Sequence, residues 1–408
     1  MRPTPIPAPA PKHHPDLADA HARLVARRWI PAKAEHFRHL PPPPAATWLC
    51  EPVGPTDPST NWQVRAIDPS KASQFITQTL DPANPQQRAI LFRGLPWPDE
   101  SDAAHFGWMH RATCQRGLRL HVAGDPALPA DTPLQLLLQI SPPTLFDAPL
   151  VVIDVAPGVD CVLLEQHEFD PSRSGGVQNL VLHIRLGRGA RLRHLRAVAP
   201  APDDRLAHQL HVTLAEDARY HQALLASGSA YHLQRTQIDL HHPRSTARIG
   251  AALLTANTTL DQQIALSHGA CDTHSTVESL LLASGKAHAV LNAHTLIASG
   301  ADDANVRQRL SAIPTSGQPR VVLRPHMEIH HDQVQAAHGA TYGALPEEAL
   351  FYARQRGLDE ASALALILQG LQRAVLEGAL REAELLTNMN FEALLARMTT
   401  QHLQRATV

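Results

Sequence analysis

Cysteine is scarce in this 408-residue chain. The four copies, Cys50, Cys114, Cys161 and Cys271, lie far apart and form no C-x-x-C pair. A disulfide framework and a closed cysteine-rich zinc site are therefore not expected, and a reducing, cytoplasmic setting is. Charge of one sign is lacking too. Lys+Arg of 36 against Asp+Glu of 38 leaves a net charge of −2, so no global field draws the chain to nucleic acid or to an anionic membrane, and a protein partner fits better. No phosphate loop of the G-x-x-x-x-G-K-[ST] kind occurs, which assigns any ATP hydrolysis to another chain. No apolar run matches the ~20 residues of a membrane span, and the Pro/Ala-rich start has no signal-peptide core. Aromatic residues make up only 4%, too few for a sugar-binding groove.

What is present changes character twice. Residues 1–15 read as a Pro/Ala-rich disordered arm. Residues 16–145 read as a helical and mixed region, with a helix from 16 to about 29 and a stiff polyproline linker at 41–44. From there to residue 344 the pattern has period two: Leu180, Leu182, Ile184 and Leu186 alternate with more polar neighbours, Gly187-Arg188-Gly189 turns the chain, and Leu210, Val212 and Leu214 repeat the alternation. The helical crossovers of an α/β fold are missing, which leaves a sandwich, a barrel or a β-solenoid; many short strands of irregular spacing favour the solenoid. Over residues 345–408 the period becomes helical. Glu347 and Glu348 suit a first turn, Gly357 a C′ position, and Leu364, Ile367, Leu368, Leu371 and Val375 form an apolar stripe.

Histidine is abundant, with 26 copies. Residues such as His183, His208 and His211 sit on alternating strands and are expected to face solvent. Cys271 near His274 has no acid or oxyanion donor in a motif with it, and reads as a small apolar residue rather than a nucleophile. Asp239, His241, His242, Asp261 and His268 could line a carboxylate groove of a β-helix carbohydrate-active protein, the rival from another class.

The densest motif is the stretch from Arg324-Pro325 through Glu328-Ile329, His330-His331-Asp332 and Val334 to His338-Gly339-Ala340-Thr341-Tyr342-Gly343, followed by Leu350-Phe351-Tyr352 and Arg356-Gly357. Upstream, Ser267-His268-Gly269-Ala270, Ser275-Thr276, Gly285-Lys286-Ala287 and residues 302–308 follow in order. These segments together resemble the SufB/SufD family, scaffold subunits that assemble iron–sulfur clusters with the ATPase SufC. Two departures stand out: Leu291-Asn292-Ala293 replaces a Phe-Asn-Gly, and Ala336 stands where the family has a cysteine.

The resemblance implies a mainly β fold, with a right-handed parallel β-helix core flanked by N-terminal and C-terminal helical regions. It implies a non-catalytic role, a SufB-type partner and a docked SufC-type ATPase, with no nucleic acid and no membrane; the isolated subunit could pair with itself. The absence of cysteine from residues 324–343 favours the SufD-type over the SufB-type subunit. His338 then matches the histidine offered to a transient cluster shared with the SufB-type subunit, and this chain alone holds no stable cofactor; a flavin in the complex is left open. On a strand His330 and His331 point to opposite faces, so at most one could join His338. Phe351, Tyr352 and Arg356 are the expected ATPase contacts.

Overall fold

The computed structural model describes residues 15–26, 29–31, 33–49, 62–98, 104–124, 133–170, 172–345, 347–382 and 384–406. Apart from Pro15, the arm expected over residues 1–15 lies outside them, as does Cys50.

From residue 149 onward the strands alternate between two sheets. Sheet B takes Pro149–Val155, Val177–Leu186, Arg205–Leu214, Tyr231–Leu240, Thr259–His268, His288–Ile297 and Arg320–Ile329. Sheet A takes the strands between them, from Asp160–His167 to Gln335–Tyr342. Every strand pairs parallel with the one two places along the chain, as Arg219 does with Arg191 and Thr246. The result is a parallel β-solenoid of about 8 turns, which rules out the sandwich and barrel. Parallel pairing begins before residue 146: Leu134–Ile140 already pairs with Asp160–His167, and Arg116–Val122 with Pro149–Val155.

The alternation decides the core. Leu180, Leu182, Ile184, Leu210, Val212 and Leu214 all point between the sheets and are nearly inaccessible to solvent. Six successive corners from sheet B to sheet A hold a left-handed residue, namely Gly158, Gly189, Asp217, Arg244, Asp272 and Asp303, with Gly300 a second one in the last of these. Glycine and aspartate tolerate that conformation. Arg244 does not by nature, and its guanidinium is held by Asp217 of the preceding corner at 2.7 Å.

Both outer faces are covered. Against sheet B pack the helices Pro15–Ala26 and Ala104–Thr113 with Trp29, Phe37, Trp48 and Phe106. Against sheet A packs the helix Glu360–Leu380, whose Leu368, Val375, Leu376 and Leu380 meet Leu195, Leu225 and Leu254. This helix is long and apolar enough by length and composition to cross a membrane, contrary to the sequence reading; here its apolar side is spent on the sheet. Asp359 caps its start, accepting from the Ser362 amide at 2.9 Å. The preceding helix, Glu347–Gln355, closes with Gly357 at φ +89° and the bonds Gly357 N–H to Arg354 O and Leu358 N–H to Ala353 O, the closure expected of a C′ glycine.

Gly250 is where the helix comes closest to sheet A. A Cβ there would lie 2.5 Å from the Val375 carbonyl oxygen and 2.8 Å from the Ala379 Cβ. Gly250→Ala is expected to destabilise the fold by about 1–3 kcal/mol through overpacking. Gly378→Ala, on the same helix with open space around it, should stabilise by about 0.5–1 kcal/mol. Urea denaturation midpoints of the two variants check this; equal shifts would mean that the helix does not sit so close.

Candidate functional site

The two ends of the solenoid differ. At the N-terminal end the last pairings turn antiparallel, Trp62–Ala66 on Leu134–Ile140 and Phe75–Leu80 on Arg116–Val122. At the other end Arg320–Ile329 and Gln335–Tyr342 are edge strands, and every residue of the latter is exposed. Unpaired amides and carbonyls along such an edge are a template for another chain. Ile329 and Tyr342, 44% and 56% exposed, add apolar surface there.

His338 lies on this last rung, in register with Gln308. Gln308 is buried and donates to Thr295 Oγ1 at 2.6 Å, while Leu310 and Ala312, of the same parity, belong to the core. His338 therefore faces the core side of the sheet, where a further turn would cover it, flanked by Ala336 and Ala340. Gly339 lies on the opposite face, opposite Arg309. It is a strand residue outside the left-handed set, and a Cβ there would meet nothing within 4 Å. Gly343 has the same open surroundings. Nothing among the described residues requires either glycine.

The rest of the motif spreads over the same end. Pro325 and Ile329 take the core-facing parity, and Arg324 and Glu328 the outward one, with Arg324 Nη1 donating to the Glu35 carbonyl at 3.3 Å. Val334 packs with Ile297, Val306 and Met327. Asp332 lies in the turn between the two edge strands. His330 bonds Glu328 Oε1 at 2.9 Å, and His331 pairs with Asp302. Among the described residues, no group of three metal-type ligands includes His338; the extended cluster with His330 or His331 is not formed. Phe351 and Tyr352, 65% and 61% exposed, project from Glu347–Gln355, and the Arg356 guanidinium lies 4.8 Å from the Tyr352 ring centre.

The sequence reading missed a polar seam inside the solenoid. Glu165 is fully buried and receives Arg196 Nε at 2.7 Å, His194 Nε2 at 2.9 Å and His167 Nε2. Arg196 continues to Gln234 Oε1 at 2.7 Å and His208 Nδ1 at 3.1 Å; His208 Nε2 bonds Gln178, which bonds Asp147, the bidentate partner of Arg116. Burial opposes ionisation of Glu165, but Arg196, His167 and His194 outweigh it and hold its carboxyl well below the usual range. Burial drives His208 well below its ordinary value, so it is a neutral interior side chain and not the solvent-facing residue expected. The register could have revealed the seam, since Glu165 pairs with Arg196 one turn on.

His183 and His211 are also not simply solvated. They line a cleft of about 290 Å³ between sheet B and the helix Ala104–Thr113, with His211 Nε2 at 2.6 Å from Asp239 Oδ2. The carboxylate groove of the carbohydrate reading is not assembled. Asp239 belongs to that cleft, Asp261 is buried against Gln263, and His268 is inside the solenoid between Thr273 and Ser275. Among the cysteines, burial pushes the Cys114 and Cys161 thiols up to about 12, so neither offers a thiolate at neutral pH.

Comparison with known proteins adds three findings. The family model of the SufBD core domain of the SUF system for FeS cluster assembly matches residues 141–371, which includes most of the solenoid and the His338 motif. The iron-sulfur cluster assembly protein SufD of Escherichia coli is 27% identical over 234 residues, 56% of this chain and 54% of that protein. An iron-sulfur cluster assembly SufBD family protein of Synechocystis sp. is 26% identical over 214 residues, 51% of this chain and 46% of that protein. The chain spans about half the length of the curated relatives it matches.

Proposed function

Because this chain belongs to the SufBD core family of iron–sulfur cluster assembly proteins, we propose that it acts as a SufD-type scaffold subunit, non-catalytic in itself, that pairs with a SufB-type subunit through the open end of its solenoid. The observation that carries the reading is His338 on the core-facing side of an exposed terminal rung. A partner solenoid abutting this end would bring its own side chains opposite the imidazole. Gly339 and Gly343, for which this chain has no internal use, fit a close approach of foreign backbone.

The cluster is cargo here. Imidazole nitrogen is a competent iron ligand, and with Ala336 in place of a cysteine and no group of three metal-type ligands including His338 among the described residues, the remaining ligands would come from the partner. The exposed Phe351-Tyr352 pair and Arg356 suit a contact with a SufC-type ATPase, whose nucleotide cycle would move the shared end. Such coupling needs contacts that differ between the two nucleotide states.

The test reconstitutes the chain with SufB-type and SufC-type partners. His338→Ala should leave the complex intact while cluster formation, read from bound iron and sulfide, falls to the level seen without this chain. His338→Asn keeps a hydrogen-bonding side chain but is a poor iron ligand, and should fail equally. Parental cluster yield from both variants in an intact complex would end the ligand assignment; rescue by Asn alone would make the role one of hydrogen bonding. In the same purification, Phe351→Ala with Tyr352→Ala should release the ATPase but retain the SufB-type partner.

A further inference from the structure

The outer face of sheet B carries a second, separate constellation at the same end. His288–Ile297 and Arg320–Ile329 pair parallel with His294 opposite His326, and Glu328 lies two residues beyond His326 on the same face. This parity points away from the core, since Val290 and Val322 pack on the outer, N-terminal cluster. One ligand atom from each of His294, His326 and Glu328 lies within 4.8 Å of the others. His294 Nε2 stands 3.7 Å from Glu328 Oε2, and the two imidazole centres are 4.9 Å apart.

These separations are too long for direct hydrogen bonds. The ligand atoms, 3.7 Å apart for His294 and Glu328 and within 4.8 Å across the group, stand wider than the ~3–3.5 Å between atoms that share one ion at 2.0–2.2 Å, a gap that side-chain rotations would have to close. His294 Nε2 is shielded from solvent and has no hydrogen-bond partner among the described residues, a costly state for a ring nitrogen. Glu328 is already oriented: His330 Nε2 holds Oε1 at 2.9 Å while Oε2 faces His294, as outer partners orient metal-binding carboxylates. The Glu35 carboxylate, 3.6 Å from Arg324 Nη2, adds negative potential at His294.

We propose that His294, His326 and Glu328 form a binding site for one divalent first-row transition-metal ion. Two imidazoles and one carboxylate suit zinc, cobalt or ferrous iron and leave coordination positions open for water or a further ligand. The site is independent of His338, which faces the core side of the other sheet, so it stands or falls apart from the cluster-assembly reading.

Titration of the chelator-treated full-length chain with Co²⁺, followed by its visible absorption and displaced by Zn²⁺, tests it. The parental protein and His338→Ala should each bind one equivalent at this site. His294→Ala and His326→Ala should lose it, and Glu328→Gln should weaken it by tenfold or more, with His330→Ala weakening it by about tenfold through loss of the orienting bond. Zn²⁺ should raise the melting temperature of the parental chain and not of the His294→Ala, His326→Ala double variant. Undiminished Co²⁺ affinity in that double variant, or no Co²⁺ binding by the parental chain, would overturn the proposal.

Discussion

Arg196→Met is expected to lower the stability of the fold by about 3–5 kcal/mol, the cost of leaving a buried charge without its partner. Arg196 is 1% exposed and reaches Glu165, Gln234 and His208 across the interior, so its loss leaves the fully buried Glu165 carboxylate with only His167 and His194. Glu165→Gln should cost a similar amount, because it strands the guanidinium. The double variant should be more stable than the sum of the two losses allows, because neither charge then remains uncompensated. Chemical denaturation of the three variants decides it. Single variants within 1 kcal/mol of the parent would mean that water or alternative partners reach the seam.

The second large effect is acid lability well above the pH at which carboxylates protonate. Burial is the first cause that holds His110 and His232 down at about 3, and His221, His268 and His402 at about 4. In the unfolded chain each titrates near its ordinary 6.5. Below that value the unfolded state binds protons that the folded state refuses, so stability is complete above pH 6.5 and is lost as pH falls toward 4. Each group contributes up to about 1.4 kcal/mol per pH unit in that window. Asp261, pushed by burial up to about 7, works in the opposite sense, as do Asp160 and Asp204, whose carboxyls burial also raises, but the buried imidazoles held down, His167, His183 and His208 among them, outnumber these three. Melting temperature should therefore drop steeply between pH 6.5 and 5. A flat profile over that range would show that these imidazoles are hydrated or protonated in the folded protein.

Much of the architecture was legible because the physics behind it is local. Period two in residues 180–186 and 210–214 reflects a core-facing strand side in any environment, and Leu364, Leu368, Leu371 and Val375 repeat at helical spacing whatever they pack against. Gly357 announces a helix end through backbone chemistry that needs no distant partner. The ordered motif around His338 was readable in the same way, as a string.

Histidine was not readable. His208, His194 and His232 occupy strand positions like those of surface residues, yet the register stacks them beside Glu165, Arg196, Gln178 and Gln234 and makes them interior. Glu165 and Arg196 are 31 residues apart in the chain, and only the length of one solenoid turn brings them together. His294 and His326 become neighbours for the same reason. The sequence by itself determined where strands and helices run, which side of each is apolar, and the presence of the His338 motif. The tertiary structure alone decided which polar residues share a face, because in a solenoid side-chain contacts are set by the residue count per turn, a long-range quantity that no local pattern encodes. It also decided that His338 lies on an exposed edge strand, on the core-facing side of the sheet.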